Sequence, residues 1–189
     1  MTEPRQYGDY QLERVIAEEP GRMIWAGQQI SIQRPVLIIE LTDRSLEEKF
    51  LADVRAKAAV DHPLITSIYE AVSNDEHCFA AMESVPVQSL AYRKEIVEPL
   101  RPLELAHILR RVAEAMQQIQ EVATLPLGLE SIYYDANGVV RMTNLVVSGT
   151  SDGAQKKQDV VTLGKELIPL VADGQPGASR LLTVLAWMR

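Results

Sequence analysis

The side chains that could do chemistry in this chain are few and scattered. The three histidines, His62, His77 and His107, do not show the short spacing of metal ligands. The single cysteine, Cys78, excludes an internal disulfide and a zinc cluster, and its apolar surroundings indicate a buried thiol rather than a nucleophile. No G-x-S-x-G segment is present. We therefore expect no catalytic, cofactor-binding or metal-binding residue in this chain.

Composition and charge narrow the classes of function. The chain has 189 residues, of which 47% are hydrophobic and 24% charged, as is typical of one globular domain. Its net charge of −7 argues against nucleic acid as a partner, and the pairs Arg110-Arg111 and Lys156-Lys157 are expected to be solvated. No apolar run approaches the roughly 18–20 residues of a membrane span, and the polar start shows no signal peptide. With a single cysteine, these features predict a cytoplasmic domain without membrane insertion.

Hydrophobic periodicity predicts the elements that would position a site. In the first half, a period of two predicts five strands. These strands are expected at residues 10–16, 23–27, 36–41, 65–71 and 78–85. One helix is inserted among them, from a capping box at Ser45 and Glu48 to about Val60.

After residue 85 the period changes from two to 3.6, and Pro102 is placed for the first turn of a helix with an apolar stripe from Leu105 to Ile119. Asn137-Gly138 predicts a hairpin turn. The other expected segments are strands at 132–134 and 139–142, a loop at 149–158, and helices at 160–172 and 179–188. Strands followed by helices predict an α+β protein.

Four motifs, in this order, resemble those of the bacterial serine/threonine protein kinases. Residues 50–53 (F-L-A-D) resemble the F-x-x-E of the family's αC helix, and residues 62–65 (H-P-L-I) resemble the H-P-N-I that follows it. Residues 82–90 (M-E-S-V-P-V-Q-S-L) resemble the hinge pattern M-E-Y-V-x-G-x-S-L. Residues 159–164 (D-V-V-T-L-G) resemble the D-V-Y-S-L-G that opens the αF helix. The resemblance covers about residues 8–172.

The resemblance implies a two-lobed protein-kinase-like fold in a single domain over residues 1–189. A five-stranded N-lobe sheet with an αC helix is expected at about 8–86, a hinge at about 83–90, and a reduced, mostly helical C-lobe at about 91–189. Active kinases carry a long activation segment where this chain has a short one, and no A-P-E motif is present. The C-lobe is therefore minimal, or the chain is part of a longer protein, multidomain or membrane-anchored.

The segment at the position of the family's glycine-rich loop has lost its glycines. Ala17, Glu19 and Arg22 stand at the three glycine positions. Pro20 lacks an N–H donor, and Glu18 and Glu19 would repel phosphate. The segment therefore predicts only a tight hairpin.

The family's lysine–glutamate pair is also replaced. Ile39 stands for the lysine and Asp53 for the glutamate, and Lys57, one turn later, is placed to pair with Asp53. Leu37 replaces the alanine above the adenine ring, so Leu37 and Ile39 are expected to fill part of the nucleotide cleft with hydrocarbon. By strand alternation, Glu40 is expected to face solvent.

The catalytic loop and the magnesium ligands are replaced as well. H-R-D aligns with Thr124-Leu125-Pro126, the metal-binding asparagine with Ser131, and D-F-G with Asn144-Leu145-Val146. Mg²⁺ prefers carboxylates and phosphates, so Asn144 is expected to form a cap or turn instead.

These replacements predict a pseudokinase: not an enzyme, but a scaffold or signalling module that binds a protein partner. Tyr133-Tyr134 is a candidate contact patch. Two alternatives remain open. A nucleotide- or small-ligand-sensing domain would use the altered cleft beside Leu37 and residues 83–85. An enzyme with unorthodox transfer chemistry would need a metal-binding carboxylate, which the aligned positions do not provide.

Overall fold

The computed structural model describes residues 5–85 and 87–189. The chain forms two compact units. The first comprises the residues up to Asp61 together with Thr66–Ser84, and the second comprises His62–Ile65 and Val85–Arg189. Pro86, in the predicted hinge, and the first four residues, used above to judge a signal peptide, lie outside the described residues.

The described part of the first unit forms a six-stranded antiparallel sheet that curls into a half-barrel. Its strands are β1 (Arg5–Tyr7), β2 (Tyr10–Glu19), β3 (Arg22–Gln29), β4 (Arg34–Leu41), β5 (Ile68–Ser73) and β6 (Cys78–Glu83). The spatial order is β1-β2-β3-β4-β6-β5. Helix α1 (Glu47–Ala58) follows β4.

Each face of this sheet buries its own apolar cluster, because alternate side chains of a strand point to opposite faces. Val36 and Ile38 of β4 belong to the first cluster, with members from β1, β2, β3 and β6. Leu41 belongs to the second, in which α1 contributes Phe50 and Val54. The apolar positions of β4 therefore hold both layers of the first unit together.

The second unit combines helices with short strands. Its helices, within the described residues, are α2 (Leu90–Glu95), α3 (Pro102–Gln118), α4 (Gly153–Glu166) and α5 (Ala178–Trp187). Its strands are β7 (Val122–Thr124), β8 (Ile132–Tyr134), β9 (Val140–Met142) and β10 (Val146–Thr150). β7 pairs with β10, and β8 pairs with β9 across the predicted Asn137-Gly138 turn. The predicted stripe of α3 is buried from Leu105 through Ile108 and Val112.

The predicted fold class is wrong. The structure is not a five-stranded N-lobe sheet with a helical C-lobe in the kinase arrangement: antiparallel sheet dominates, and the largest sheet in the described residues has six strands. β1 escaped sequence analysis because it is three residues long and two of them, Arg5 and Gln6, are exposed and polar. Gly8, with φ +57°, makes the turn that pairs Tyr7 with Tyr10.

Two predicted helix starts are also wrong. The Asp43 side chain, rather than Ser45, accepts a hydrogen bond at the turn before α1, from the Ser45 N–H at 2.9 Å, and the α-helix begins only at Glu47. The predicted loop at 149–158 is largely helical, because Asp152 accepts from the Ala154 N–H at 2.8 Å and α4 starts at Gly153. The prediction of Pro102 in the first turn of α3 is confirmed.

Candidate functional site

Ile39, at the position of the family's phosphate-pairing lysine, is part of an apolar layer. It pairs in register with Ile24 of β3 and Ala80 of β6. Its half-buried side chain packs against the second cluster, whose buried members are Leu41, Phe50, Val54, Cys78 and Ala80. The hydrocarbon at this position therefore joins the sheet to α1.

Leu37, two residues earlier on the same face of β4, is half-buried rather than fully buried. It pairs in register with Ala26 and Met82. The cleft-filling role expected for Leu37 and Ile39 stays a prediction.

Asp53, at the position of the family's αC glutamate, faces lysines of its own helix. Lys49 Nζ lies 3.2 Å from Asp53 Oδ2, and the Asp53 side chain is 20% exposed. The pKa of Lys57 is lowered to about 8, chiefly because burial penalises its charge. Asp53 opposes this shift of the pKa and Arg22 adds to it. The negative charge of Asp53 therefore partly offsets the positive charges of Lys49 and Lys57 on α1.

The β2–β3 hairpin lies at the positions aligned above with the glycine-rich loop, and its predicted tight turn is confirmed. Gly21 has φ +77°, a conformation that suits glycine. Its carbonyl oxygen accepts from the N–H groups of Thr42 and Asp43, at 2.9 and 3.1 Å. Glu19 and Arg22 pair across the turn at 2.5 Å. These contacts attach the turn to the chain that follows β4.

Glu40 corrects a sequence expectation, because its side chain is only 14% exposed and does not simply face solvent. Oε1 accepts from the Tyr7 hydroxyl at 2.7 Å, and Oε2 accepts from the Trp25 indole N–H at 2.8 Å. Arg5 Nη1 lies 3.8 Å from Oε1. The pKa of Tyr7 is raised, chiefly by burial and then by the hydrogen bond and the negative charge of Glu40. The carboxylate is therefore a structural acceptor at the edge of the first apolar cluster.

The positions of the catalytic loop and of the metal ligands form backbone supports in the second unit. Thr124 ends β7, and the Leu125 N–H donates to the Leu145 carbonyl at 2.9 Å. Asn144 is buried, and its Oδ1 accepts from the Val146 N–H at 3.2 Å. The predicted turn role of Asn144 is thereby confirmed. Ser131 is buried, and its carbonyl oxygen accepts from the Thr143 N–H at 2.9 Å.

Asp159 is a site residue whose chemistry sequence analysis did not bring out. It lies inside α4 and is 3% exposed. Oδ1 accepts from the Leu127 N–H at 3.1 Å and from Gln155 Nε2 at 2.8 Å. Oδ2 is buried, and no described residue donates a hydrogen bond to it. An unsatisfied buried charged group is costly, and this oxygen keeps an unused capacity to accept a hydrogen bond. No sequence signal could have shown that one carboxylate oxygen of Asp159 is hydrogen-bonded and the other is not.

The three histidines and the cysteine lie in separate places, each with its own contacts. His62 Nδ1 accepts from the Leu64 N–H at 3.3 Å, and the His77 ring stacks on Tyr7 with centroids 3.9 Å apart. His107 Nε2 lies 3.2 Å from the Gly138 carbonyl oxygen. Cys78 is 2% exposed, and burial raises the pKa of its thiol. Among residues 5–85 and 87–189, no three His, Cys, Asp or Glu side chains are grouped as metal ligands would be.

The predicted contact patch at Tyr133-Tyr134 is half-buried on β8, and burial chiefly raises the pKa of Tyr134. Apolar side chains that are more exposed lie elsewhere in the second unit: Trp187 of α5 is 81% exposed and Leu103 of α3 is 83% exposed. None of the helices in the described ranges is both long and apolar enough to cross a membrane.

Comparison with known proteins gives a distant likeness to a bacterial kinase. The chain matches no protein-family model. It is 24% identical over 148 residues to the serine/threonine-protein kinase PrkC of Bacillus subtilis (strain 168), a match that covers 75% of this chain and 23% of that kinase. The chain thus spans about a quarter of the length of the curated relative that it matches. This similarity supports a distant kinase-like relationship.

Proposed function

We propose that this chain is a catalytically inactive relative of the serine/threonine protein kinases that acts by binding a protein partner, as a scaffold or signalling module. The observation that carries the proposal is the place of Ile39. Phosphoryl transfer depends on cations that hold the phosphates, and this position carries a hydrocarbon side chain packed between the sheet and α1.

Two further positions support the loss of catalysis. Asn144 offers an amide in place of the family's magnesium carboxylate, and its Oδ1 accepts from the Val146 backbone. Pro126 stands where the family has the base that takes the hydroxyl proton, and proline has no group able to do so. Lysine, base and metal ligand are therefore replaced together.

An exposed apolar face on α5 supports the binding role. Trp187 and Val184 lie one helical turn apart and are 81% and 46% exposed. Tryptophan is enriched among the residues that dominate protein–protein binding energy. The net charge of −7 favours a protein over a nucleic acid as the partner, and the buried single thiol suits a cytoplasmic setting.

Catalysis is tested by autophosphorylation with labelled ATP and either Mg²⁺ or Mn²⁺. We expect no incorporation for the wild-type chain or for Ile39→Lys, because one cation cannot replace the missing base and metal ligand. The Bacillus subtilis kinase serves as the positive control. Phosphate incorporated by the wild-type chain, above the level of a heat-denatured sample, would overturn the proposal.

A thermal melt separates partner binding from nucleotide sensing. ATP, ADP and GTP are added at millimolar concentration, each with and without Mg²⁺, and we expect no shift of the melting temperature. A reproducible rise of several degrees would show that a nucleotide binds the native state and would favour the sensing alternative.

The binding face is tested by affinity purification from source cells with wild-type and Trp187→Ser baits. We expect at least one protein to be retained by the wild type and lost with Trp187→Ser. Val139→Ser is the matched control, since Val139 is 50% exposed and lies in the turn before β9, away from α5 in the chain. If all three baits retain the same proteins, α5 is not the binding face.

A further inference from the structure

A pocket of about 390 Å³ lies between α3 and α4 in the second unit. Val112 and Met116 of α3, Leu163 of α4 and Met188 after α5 provide apolar walls. Small-molecule sites measure roughly 300–1,000 Å³ and combine such walls with a few polar groups. The pocket therefore has the size and lining of a site for a small organic molecule.

The polar group that distinguishes this pocket is the Asp159 carboxylate. Asp159 lines the pocket and is 3% exposed. Its Oδ1 is held by the Leu127 N–H and by Gln155, whereas no described residue donates to Oδ2. A ligand that donates a hydrogen bond to Oδ2 would supply the contact that the protein leaves unmade.

Lys156, the cation that also lines the pocket, is already engaged. Its Nζ donates to the carbonyl oxygens of Ile119, Gln120 and Val122, at 3.2 Å for Ile119 and 3.1 Å for Val122. An ammonium group has three N–H donors, so these three carbonyl oxygens, which lie between the end of α3 and the start of β7, use all of them. The charge of Asp159 is thus left for an incoming group.

We propose that this pocket binds a small organic cation, a protonated amine carried on an apolar body. The apolar body packs against Val112, Met116 and Leu163, and the ammonium group donates to Asp159 Oδ2. A charge-assisted hydrogen bond in an apolar site is stronger than the same bond in water. A ligand anion would meet the like charge of Asp159 and is excluded. The proposal does not rest on the partner face of α5 or on the loss of catalysis, although Asp159 also begins the kinase-like motif at residues 159–164.

The probes are 2-phenylethylammonium and its anionic counterpart of similar size, 3-phenylpropionate. They are titrated into the full chain labelled with ¹³C at the methionine methyl groups. Met116 and Met188 line the pocket, whereas Met23 and Met82 belong to the first unit and report nonspecific effects. For such small ligands we expect a dissociation constant of about 0.1–10 mM.

The expected result is a saturable shift of the Met116 and Met188 methyl signals with the amine, and binding of the carboxylate about tenfold weaker or worse. Asp159→Asn keeps the shape and should lose this preference for the amine. Asp152→Asn removes the same charge at the exposed start of α4 and should bind as the wild type does. Equal binding of amine and carboxylate, or a preference that survives Asp159→Asn, would overturn the proposal.

A second variant keeps the test decisive if Asp159→Asn does not fold. Ala113 lies on the exposed rim of the pocket, so Ala113→Trp should block it without altering the core. The methionine shifts should then disappear. If they persist, or if the wild type shows no saturable shift with the amine, the pocket is not this site.

Discussion

The hydroxyl group of Tyr7 donates to Glu40 Oε1 at 2.7 Å, across 33 residues of chain. The indole N–H of Trp25 donates to the other carboxylate oxygen, Glu40 Oε2, at 2.8 Å. Glu40 therefore joins β1, β3 and β4 at one point, and its donors allow a carboxylate to lie beside the first apolar cluster. The short strand β1 depends on this contact because it has only three residues to pair with β2.

Tyr7→Phe should lower the free energy of unfolding by about 1.5–3 kcal/mol, since it removes a hydrogen bond to a charged acceptor at a partly buried place. Urea denaturation measures the effect. Tyr10→Phe is the matched control: its hydroxyl donates to Glu70 at 2.8 Å, but Glu70 is exposed and water can replace the donor. An equal loss of unfolding free energy in both variants would show that the partly buried position of Glu40 does not strengthen its hydrogen bond with Tyr7.

Lys57 makes stability depend on pH with a defined sign. Its pKa is lowered in the native state to about 8, from an ordinary value of 10.5. Between these two values the unfolded chain binds more protons than the native chain, so the contribution of Lys57 to stability rises with pH over this range. Burial causes the shift of the pKa, with Asp53 opposing it and Arg22 adding to it.

Comparing wild type with Lys57→Met isolates this contribution, because other titrating groups are common to both. We expect the wild type to gain stability relative to Lys57→Met as the pH rises from about 8 to 10.5. Lys49→Met, whose side chain is 70% exposed, should not change the profile in this range. A constant difference between wild type and Lys57→Met across these pH values would contradict the lowered pKa, which NMR of the lysine Cε can read directly.

Sequence periodicity predicted the elements whose apolar residues repeat over several turns or pleats. The predicted bounds of β2, β3, β4 and α3 lie within a few residues of the observed ones. In these elements the apolar side chains alternate or form a stripe along one helix face, and this pattern is visible in the sequence because those side chains are the ones that pack in the core. β1 and the first turns of α4 lack that signal, since few of their residues are buried. Their positions depend instead on Gly8 and on the Asp152 cap.

Contacts between distant residues were beyond the reach of sequence pattern. Alternation placed Glu40 correctly on the face opposite Ile39. It could not show that Tyr7 and Trp25 donate hydrogen bonds to the Glu40 carboxylate and so shield it from solvent. Likewise, the motif that begins at Asp159 could be recognised, but its unpaired oxygen and the pocket beside it depend on how α3 and α4 pack.

Adjacent positions of β4 should differ in their tolerance of truncation. Ile38 is fully buried in the first cluster, so Ile38→Ala should cost about 2–5 kcal/mol of stability. Leu37 is half-buried, so Leu37→Ala should cost about 1–2 kcal/mol, less than the figure for a fully buried leucine. Urea denaturation of both variants tests this order, and a larger loss for Leu37→Ala would mean that its side chain is more enclosed.

Gly164 allows α4 and α5 to approach each other closely. A Cβ at this position would lie 2.7 Å from Met188 Cβ and 2.9 Å from the Leu185 carbonyl oxygen. Gly164→Ala should therefore push the end of α5 away and cost about 1–3 kcal/mol, although alanine is otherwise the better helix former.

Gly153→Ala, in the first turn of the same helix, is the matched control. A Cβ there meets no atom within 4 Å, so the substitution should be neutral or stabilising by up to about 1 kcal/mol. Chemical denaturation gives the sign of both changes, and hydrogen exchange should show faster exchange in α5 for Gly164→Ala alone. If both substitutions stabilise the protein, α5 can shift at little cost, and the close approach of α4 and α5 at Gly164 contributes little to stability.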